Sequence, residues 1–316
     1  NDKENYRPIS ILPSINKIVE IVLLSRLEKF FRENEVFDKN QFAFRSKSGT
    51  DLALTELFHH INTALDKNHL FGIVFVDIKK AYDSINHHVL LEKLELSGVR
   101  GHALKLFKDY LSNRQQAVRI RSELSDSSMI DKGIGQGSNL GPLLFNVKMN
   151  DFCNLPLRCK VIRYADDVAL FFSFSPDNYD NFVDAVRHDM KMISEFHRVN
   201  GMQINPRKSK FMIIHRKTRK EKVVKRNIQL DDESELQQVT VTKYLGLTIN
   251  EFASHDDHIN ELAKKLTTGV NILARIKWTV PSHILLKIYY AHFNSHLYYV
   301  PSIYGVSKME HIEELQ

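Results

Sequence analysis

Three aspartates stand in settings that suit metal-dependent chemistry. Asp77 ends a compact apolar run, and Asp166 and Asp167 separate two further apolar runs. Adjacent carboxylates beside a packed sheet repel one another and lose hydration unless a cation neutralises them. The pattern therefore indicates that these three acids hold metal ions.

A few hard oxygen ligands that stay open to a substrate suit Mg²⁺, which carboxylates bind jointly with phosphates. Two such ions, about 3.5–4 Å apart, would lower the pKa of an attacking hydroxyl and stabilise a leaving pyrophosphate. The acids thus predict nucleotidyl transfer with two Mg²⁺ ions, for which Mn²⁺ could substitute. Several classes of nucleotidyl-transfer enzyme remain open at this point.

The elements that must position these acids are strands. Residues 71–78 form an apolar run rich in β-branched and aromatic side chains, which predicts a strand buried on both faces. Residues 160–164 and 168–174 are also strand-like. Because only Ala165 and the two acids separate them, they predict a hairpin that carries the acids at its tip.

The rest of the chain alternates between helical and extended patterns. Asn86 should cap a helix that Gly98 ends, and four glycines within residues 133–141 predict tight turns or close approach to a ligand. Further helices are predicted near residues 18–31, 50–65, 102–111, 142–151, 182–196 and 255–300, and within the last of these ranges a new helix should start at Pro281. Further strands are predicted at residues 116–121, 211–214 and 243–249. This order favours an α+β catalytic lobe followed by a small helical lobe.

Composition narrows the class of protein. The 316 residues are 43% hydrophobic, enough for a substantial core, and 44 basic against 38 acidic side chains give a net charge of +6. A basic chain favours a polyanionic partner such as nucleic acid. Cys153 and Cys159 lack the spacing of a zinc site or a disulfide framework. No apolar run reaches the roughly 18 residues that span a bilayer, so we expect a soluble, intracellular protein without a membrane partner.

The sequence lacks an initial Met and stops at Gln316 in what reads as an unfinished helix, so we expect a fragment of a longer protein. Residues 215–238 read as an insertion, in which a basic run over 216–226 meets four acids. A solvated hairpin and a loop that contacts template phosphates both fit this pattern.

The string Tyr164, Ala165, Asp166, Asp167 resembles the YADD box of reverse transcriptases, and it lies within an ordered series of motifs. The series is YRPISILPSINKIVE (6–20), QFAFRSKSGT (41–50), FVDIKKAYDSINHHVLLEKL (75–94), GIGQGSNLGPLLFNVKMND (133–151), RYADDVALF (163–171), GMQINPRKSKFM (201–212) and KYLGLTIN (243–250). It resembles the reverse transcriptase of a LINE-type, non-LTR retrotransposon of the Jockey group.

This resemblance implies a right-hand polymerase fold of fingers, palm and thumb, in which helices flank an antiparallel palm sheet. It implies fingers in residues 1–70, with 100–130 shared between palm and fingers. The palm would span 71–250, and a truncated thumb would span 251–316.

The resemblance also assigns roles at the metals. Asp77 and Asp166 would ligate both ions, with Asp167 assisting and the carbonyl of Ile78 completing a shell. Asp83 would be a structural partner rather than a ligand.

The incoming nucleotide would meet two motifs. Tyr82 matches the steric gate, whose ring clashes with a 2′-hydroxyl and so selects deoxynucleotides. Gln136 and Gly137 match the loop that packs against the nucleotide. Gly135 departs from the family, which usually has Pro there, so we expect a more flexible loop that still functions.

Cationic residues and a turn complete the implied site. Arg45, with Lys47 and Arg7 as weaker candidates, matches fingers positions that neutralise the triphosphate. Lys208 matches a lysine that protonates pyrophosphate as a general acid, although a phosphate or solvent contact fits equally. The primer grip, a turn that holds the growing 3′ end, would comprise Lys243, Tyr244, Leu245 and Gly246.

The leading interpretation is an RNA-directed DNA polymerase that extends a primer 3′ end with dNTPs. By family analogy the template is the element's own RNA, the primer is nicked chromosomal DNA, and an endonuclease lies elsewhere in the full-length protein. We expect it in the nucleus and in cytoplasmic ribonucleoprotein. The alternatives are a catalytically silent, nucleic-acid-binding remnant, a group II intron-type reverse transcriptase or maturase, and a viral RNA-making polymerase. The three acids, with Tyr82 and Gln136, favour an active enzyme.

Overall fold

The computed structural model describes residues 8–79, 81–218, 226–230 and 234–300. The α-helices in these ranges are α1 (Ser14–Glu33), α2 (Thr50–Asp66), α3 (His87–Leu96), α4 (Gly101–Leu111), α5 (Gly141–Met149), α6 (Tyr179–Val199), α7 (Asp256–Ile276), α8 (Ser282–Tyr289) and α9 (Ser295–Leu297). The strands are β1 (Leu70–Val76), β2 (Ile78–Lys79), β3 (Arg114–Gln116), β4 (Arg119–Ile120), β5 (Glu123–Leu124), β6 (Ser128–Ile130), β7 (Lys160–Tyr164), β8 (Asp167–Phe174), β9 (Gln203–Ile204), β10 (Lys210–Ile214), β11 (Ile228–Gln229), β12 (Glu235–Gln238), β13 (Val241–Tyr244) and β14 (Leu247–Asn250).

Six strands form the largest sheet described, in the order β11-β12-β10-β1-β8-β7. β1 is antiparallel to β10, with Ile73 opposite Met212, and β11 is antiparallel to β12. β10 and β12 instead run parallel, with Phe211 opposite Gln238. The expectation of an antiparallel sheet is therefore wrong for this pair. Residues 215–234 supply the long connection that parallel neighbours require.

Strand β1 is buried along its whole length, as predicted for residues 71–78, although the strand ends at Val76. A Cβ atom at Gly72 would lie 2.2 Å from the ring of Phe182 on α6. Phe182 also stacks on Phe174 of β8, with ring centroids 4.9 Å apart. Only glycine at position 72 lets this aromatic layer lie directly on the strand backbone.

One compact unit comprises residues 1–46, 76–168 and 185–208. Helix α5 is almost entirely buried within it. Lys93 of α3 joins three segments of the unit, because its ammonium donates to the carbonyl of Lys148 at 2.6 Å, to Asp151 at 2.6 Å and to Asn200 at 2.7 Å. These charge-assisted bonds fix α3 against the ends of α5 and α6.

The other compact unit comprises residues 47–75, 169–184 and 209–316. Helix α2 buries a stripe that includes Leu54, Leu57 and Ile61. Leu262 and Leu266 of α7 form a separate apolar cluster with Phe293. The two units interleave along the sequence, and the limits of fingers, palm and thumb remain a prediction.

Most predicted elements are confirmed, including the cap of α3. The side chain of Asn86 accepts hydrogen bonds from the amides of His88 and Val89, and Gly98 follows the helix with φ of 95°. Helix α8 begins at Ser282 directly after Pro281, also as predicted.

Three predicted segments differ from the structure. Residues 243–249 are a hairpin, β13 and β14, rather than one strand, and residues 116–121 are interrupted between β3 and β4. In the insertion, the described part adds β11 and β12 to the main sheet and buries Ile228 and Leu236. A purely solvated hairpin is therefore wrong for this part. None of the helices described has the length and apolar character required to cross a membrane.

Candidate active site

Asp77 lies where β1 ends and the chain turns into β2. Its backbone carbonyl accepts a hydrogen bond from the amide of Asn205 at 2.8 Å, and the next residue, Ile78, pairs with Ile204 of β9. The carbonyl of Asn205 in turn accepts from the amide of Lys208 at 3.2 Å. The loop that carries the exposed Lys208 is therefore bonded to the backbone at Asp77.

Asp166 lies in the tight turn between β7 and β8, and Asp167 begins β8, which neighbours β1 in the sheet. Ala165, the first residue of the turn, is 6% exposed and has φ of 55°, a left-handed conformation that alanine rarely adopts. Its amide donates to the side-chain oxygen of Gln41 at 3.1 Å. Gln41 therefore holds the backbone immediately before the two acids.

Strand β7 is fastened to the segment around Gln41 by further bonds. The amide of Phe42 donates to the carbonyl of Arg163 at 2.9 Å, and the amide of Arg163 donates to Asn40 at 2.8 Å. The buried guanidinium of Arg163 donates to Asp38 at 2.7 Å and to the carbonyl of Met149 at 2.7 Å. Such an engaged, desolvated arginine allows β7 little freedom to shift its register.

Arg45, predicted to meet the triphosphate, belongs to the same network. Its Nη1 donates to the carbonyl oxygens of Asp38 at 2.6 Å and Gln41 at 2.9 Å. This nitrogen therefore shapes the segment that supports β7. Lys47 is exposed, with φ of 58°, and falls in the other compact unit, whereas Arg7 lies outside the described residues.

Tyr82 lies in the loop after β2, and its ring stacks on Phe145 of the buried helix α5. The ring centroids are 4.9 Å apart and the rings are 13° from parallel. Burial raises the pKa of the Tyr82 hydroxyl, and the negative charge of Asp166 raises it further. The structure thus brings the predicted gate and the Asp166 carboxylate within electrostatic reach, with the ring orientation fixed.

The glycine-rich loop packs against the same region. The side-chain amide of Gln136 donates to Asp83 at 3.0 Å, and the backbone carbonyl of Gln136 accepts from the amide of Ser10 at 2.8 Å. Gly137 has φ of 96°, which only glycine adopts readily. A Cβ at Gly135 would lie 3.0 Å from the hydroxyl of Ser10. Because Gly135 has no side chain, Ser10 can pack closely against this loop.

The predicted primer-grip residues form the end of a hairpin in the other unit. Lys243 pairs with Thr248 and Tyr244 with Leu247, so Leu245 and Gly246 make a two-residue turn. The two residues have φ of 45° and 82°. Two successive positive φ angles are typical of a type I′ turn.

The donor chemistry of the three acids fits a divalent cation. Asp77 and Asp166 are half-buried and Asp167 is exposed, and all three offer the hard carboxylate oxygens that such cations prefer. In the parts of the chain that the structure describes, no three His, Cys, Asp or Glu side chains are grouped closely enough to hold a metal ion. Within the described residues, the three acids therefore do not form a closed metal site by themselves.

The residues that support the turn were not predicted from the sequence. Gln41 and Arg45 lie in the motif at residues 41–50, but the spacing of this motif does not indicate that Gln41 contacts Ala165. Arg163 directly precedes the YADD string and is 0% exposed. A charged residue inside an apolar strand is the one signal that could have indicated a buried ion pair with Asp38.

Comparison with known proteins gives several similar chains. The "Probable RNA-directed DNA polymerase from transposon BS" of Drosophila melanogaster is 28% identical over 277 residues, which cover 83% of this chain and 29% of the relative. The corresponding X-element protein of Drosophila melanogaster is 27% identical, covering 99% of this chain and 34% of the relative. The RNA-directed DNA polymerase from mobile element jockey of Drosophila funebris is 26% identical, and the match covers 100% of this chain and 35% of the relative. The chain thus spans about a third of the length of these relatives.

Among solved structures, the telomerase from Candida Tropicalis in complex with a fragment of telomeric RNA is similar at a TM-score of 0.50. It is 12% identical, and the likeness covers 96% of this chain and 49% of that chain. At this identity the comparison shows the fold alone, and it agrees with a right-hand polymerase architecture.

The relatives confirm the resemblance to non-LTR retrotransposons of the Jockey type. Residues 1–249 match the family model described as reverse transcriptase (RNA-dependent DNA polymerase). This match extends from the first motif of the series to the hairpin of β13 and β14. The chain belongs to the reverse transcriptase family.

Proposed function

We propose that this chain is the catalytic core of an RNA-directed DNA polymerase encoded by a Jockey-like, non-LTR retrotransposon. It extends the 3′ end of a primer with dNTPs by nucleotidyl transfer. The observation that carries the proposal is that the turn bearing Asp166, the stacked ring of Tyr82 and the loop at Asp77 all belong to one compact unit.

Reverse transcriptases generally use divalent metal ions. In the proposal, Asp77, Asp166 and Asp167, with the carbonyl of Ile78, hold two Mg²⁺ ions, and Mn²⁺ can replace them. The bound ions would make the primer hydroxyl a better nucleophile and stabilise charge on the leaving pyrophosphate. Because the acids do not close a site by themselves, the nucleotide phosphates would supply the remaining oxygens.

The chain's own residues would select and place the nucleotide. Tyr82, fixed on Phe145, presents a ring that excludes a ribose 2′-hydroxyl. Gln136 and Gly137 would line the base pair, with Gln136 held by Asp83.

Cationic side chains would act on the triphosphate. The guanidinium nitrogens of Arg45 other than Nη1, together with Lys47, would neutralise the phosphates. Lys208, on the loop bonded to Asp77, would donate a proton to the departing pyrophosphate.

The proposed partners are an RNA template and a DNA primer at the target site. The relatives are about three times as long as this chain, which leaves room for an endonuclease in the full-length protein. The proposed location is the nucleus and cytoplasmic ribonucleoprotein.

Primer extension tests the proposal. The 316-residue chain is incubated with a DNA primer on an RNA template, dNTPs and Mg²⁺, and is compared with Asp166→Asn, Asp167→Asn. The matched control is Asp109→Asn, Asp126→Asn, which changes the net charge equally at exposed positions. We expect extension by the unaltered chain and the control, and a loss of at least about 1,000-fold in the site variant.

The outcomes separate the candidate functions. Template binding without extension by the unaltered chain would support a silent remnant instead. Extension that persists in the site variant would show that these acids are not the metal ligands. Efficient ribonucleotide polymerisation would support an RNA-making polymerase.

A further inference from the structure

The turn at Leu245 and Gly246 has a conformation that its own sequence does not favour. A type I′ turn prefers Asn or Asp before Gly, because both central residues have positive φ. Here Leu245 has φ of 45°, in a region where a branched apolar side chain is rare. Backbone held in such a conformation needs support from its surroundings.

The supporting contact comes from Tyr299, which follows α9 near the end of the described chain. Its hydroxyl donates a hydrogen bond to the carbonyl of Leu245. The same ring lies against Gly246, where an added Cβ atom would be 3.1 Å from the hydroxyl oxygen and 3.3 Å from two ring carbons. Tyr299 therefore both bonds and covers the turn.

Both sides of this contact are anchored within the same compact unit. Tyr244, just before the turn, is buried and its ring lies 5.1 Å from that of Phe75 at the end of β1. On the other side, the amide of Tyr299 donates to the carbonyl of His296, and the neighbouring Val300 is 1% exposed. The phenol is thus presented from a packed segment.

We propose that Tyr299 is a positioning residue for the primer-grip turn, whose hydroxyl holds Leu245 in its left-handed conformation and so keeps the turn shaped to receive a primer 3′ end. This inference rests on the proposed function, because the turn's role in holding a primer belongs to that proposal. Tyr299 acts through the backbone of Leu245 and contacts no reacting atom.

The test compares Tyr299→Phe, which removes only the hydroxyl, with Tyr298→Phe at the adjacent tyrosine, which is 72% exposed. Two quantities are measured on each chain. Hydrogen–deuterium exchange of residues 244–247 reports the turn without any catalysis, and steady-state primer extension reports KM for the primer separately from kcat.

We expect Tyr299→Phe to exchange faster in the turn and to raise KM for the primer about 5- to 10-fold, the effect of one lost hydrogen bond, with a smaller change in kcat. Tyr298→Phe should match the unaltered chain in both measurements. A general loss of structure would instead accelerate exchange in α2 and α7 as well.

The readouts keep this inference distinct from the proposed function. If hydrogen–deuterium exchange of the turn is unchanged in Tyr299→Phe, the Tyr299 hydroxyl does not hold Leu245 in place, whether or not the chain extends primers. Faster exchange with an unchanged KM would overturn the link to the primer. If the unaltered chain extends no primer, the proposed function fails, and the primer role of Tyr299 fails with it.

Discussion

The residues that carry the proposed chemistry are held by backbone and side-chain contacts that offer them few alternatives. Ala165 occupies a left-handed conformation directly before Asp166, and Gln41 accepts hydrogen bonds from the amides of Ala165 and Ala43, each at 3.1 Å. Strain of this kind persists only where the surroundings enforce it, and it is frequent at functional sites. Gln41 therefore holds the backbone directly before Asp166.

Gln41→Met should test this placement. The substitution keeps the side-chain length but leaves two amides without their acceptor, which costs about 1–3 kcal/mol for each buried group that stays unpaired. We expect a loss of about 2–6 kcal/mol in the free energy of unfolding and a lower kcat. Urea denaturation and single-turnover extension measure both, with Asn40→Ala at the exposed neighbour as control. If Gln41→Met keeps both the extension rate and the free energy of unfolding of the unaltered chain, the side chain at position 41 does not hold the turn.

Tyr82→Val should relax the choice of sugar. The ring that stacks on Phe145 would be replaced by a side chain too short to reach a 2′-hydroxyl, so ribonucleotide incorporation should rise at least about 10-fold relative to deoxynucleotide incorporation. Competing dNTP and NTP extension on one template measures the ratio. Tyr82→Phe keeps the ring and should keep the selectivity. If Val and Phe behave alike, the ring is not the gate.

The motifs in the sequence predict which residues react at the candidate site, but they do not predict the contacts that hold those residues in place. Asp77, Asp166 and Tyr82 are recognisable because motif spacing identifies them. Gln41 and Asp38 act through the backbone of Ala165 and the guanidinium of Arg163, at long sequence separation. No local pattern encodes such a contact, since it arises only when the fold brings the two segments together.

At the level of elements, the strongly periodic segments were predictable and the short ones were not. Helices α2 and α3 and strand β7 match the predictions closely, because periodicity and capping act locally. The hairpin of β13 and β14 was read as one strand, since Leu245 and Gly246 interrupt an apolar run without the usual turn residues. The parallel pairing of β12 depends on a crossover that sequence pattern does not reveal.

The packing of α6 on β1 gives a prediction at this scale. Gly72→Ala would place a methyl group 2.2 Å from the Phe182 ring, so the ring or the helix must move, at a cost of about 1–3 kcal/mol. The urea midpoint should fall accordingly. Gly49→Ala is the control, because an added Cβ there meets nothing within 4 Å. Combining Gly72→Ala with Phe182→Leu should recover part of the loss; a purely additive loss would argue against the steric explanation.

For the whole molecule, buried ionisable groups that have a polar atom without a hydrogen-bond partner should make stability depend on pH. His197 is 0% exposed, and its Nε2 has no hydrogen-bond partner within the described residues. Burial lowers its pKa from 6.5 to about 4. The unfolded chain therefore binds more protons between these values, so the free energy of unfolding should fall as the pH drops from 6.5 towards 4. His197→Gln should flatten that part of the profile measured by urea denaturation.

Lys148 should make the free energy of unfolding depend on pH in the alkaline range. It is 0% exposed in α5, its ammonium has no hydrogen-bond partner within the described residues, and its backbone carbonyl accepts from Lys93. Burial, and then the charge of Lys93, lower the pKa of Lys148 from 10.5 to about 8, although Asp151 opposes the shift. Below pH 8 the folded protein must keep a poorly solvated cation in its core.

The pH dependence of this penalty has a definite sign. Between pH 8 and 10.5 the unfolded chain holds the proton that folded Lys148 has lost, so stability should rise with pH across this window. Lys148→Met keeps the volume and removes the charge, and it should stabilise the protein by about 1–2 kcal/mol at pH 7. Urea unfolding at pH 7, 8, 9 and 10 should show this gain shrinking as the pH increases. Lys105→Met, at an exposed position of α4, should show no such trend. A gain that stays constant with pH would mean that folding does not shift the pKa of Lys148.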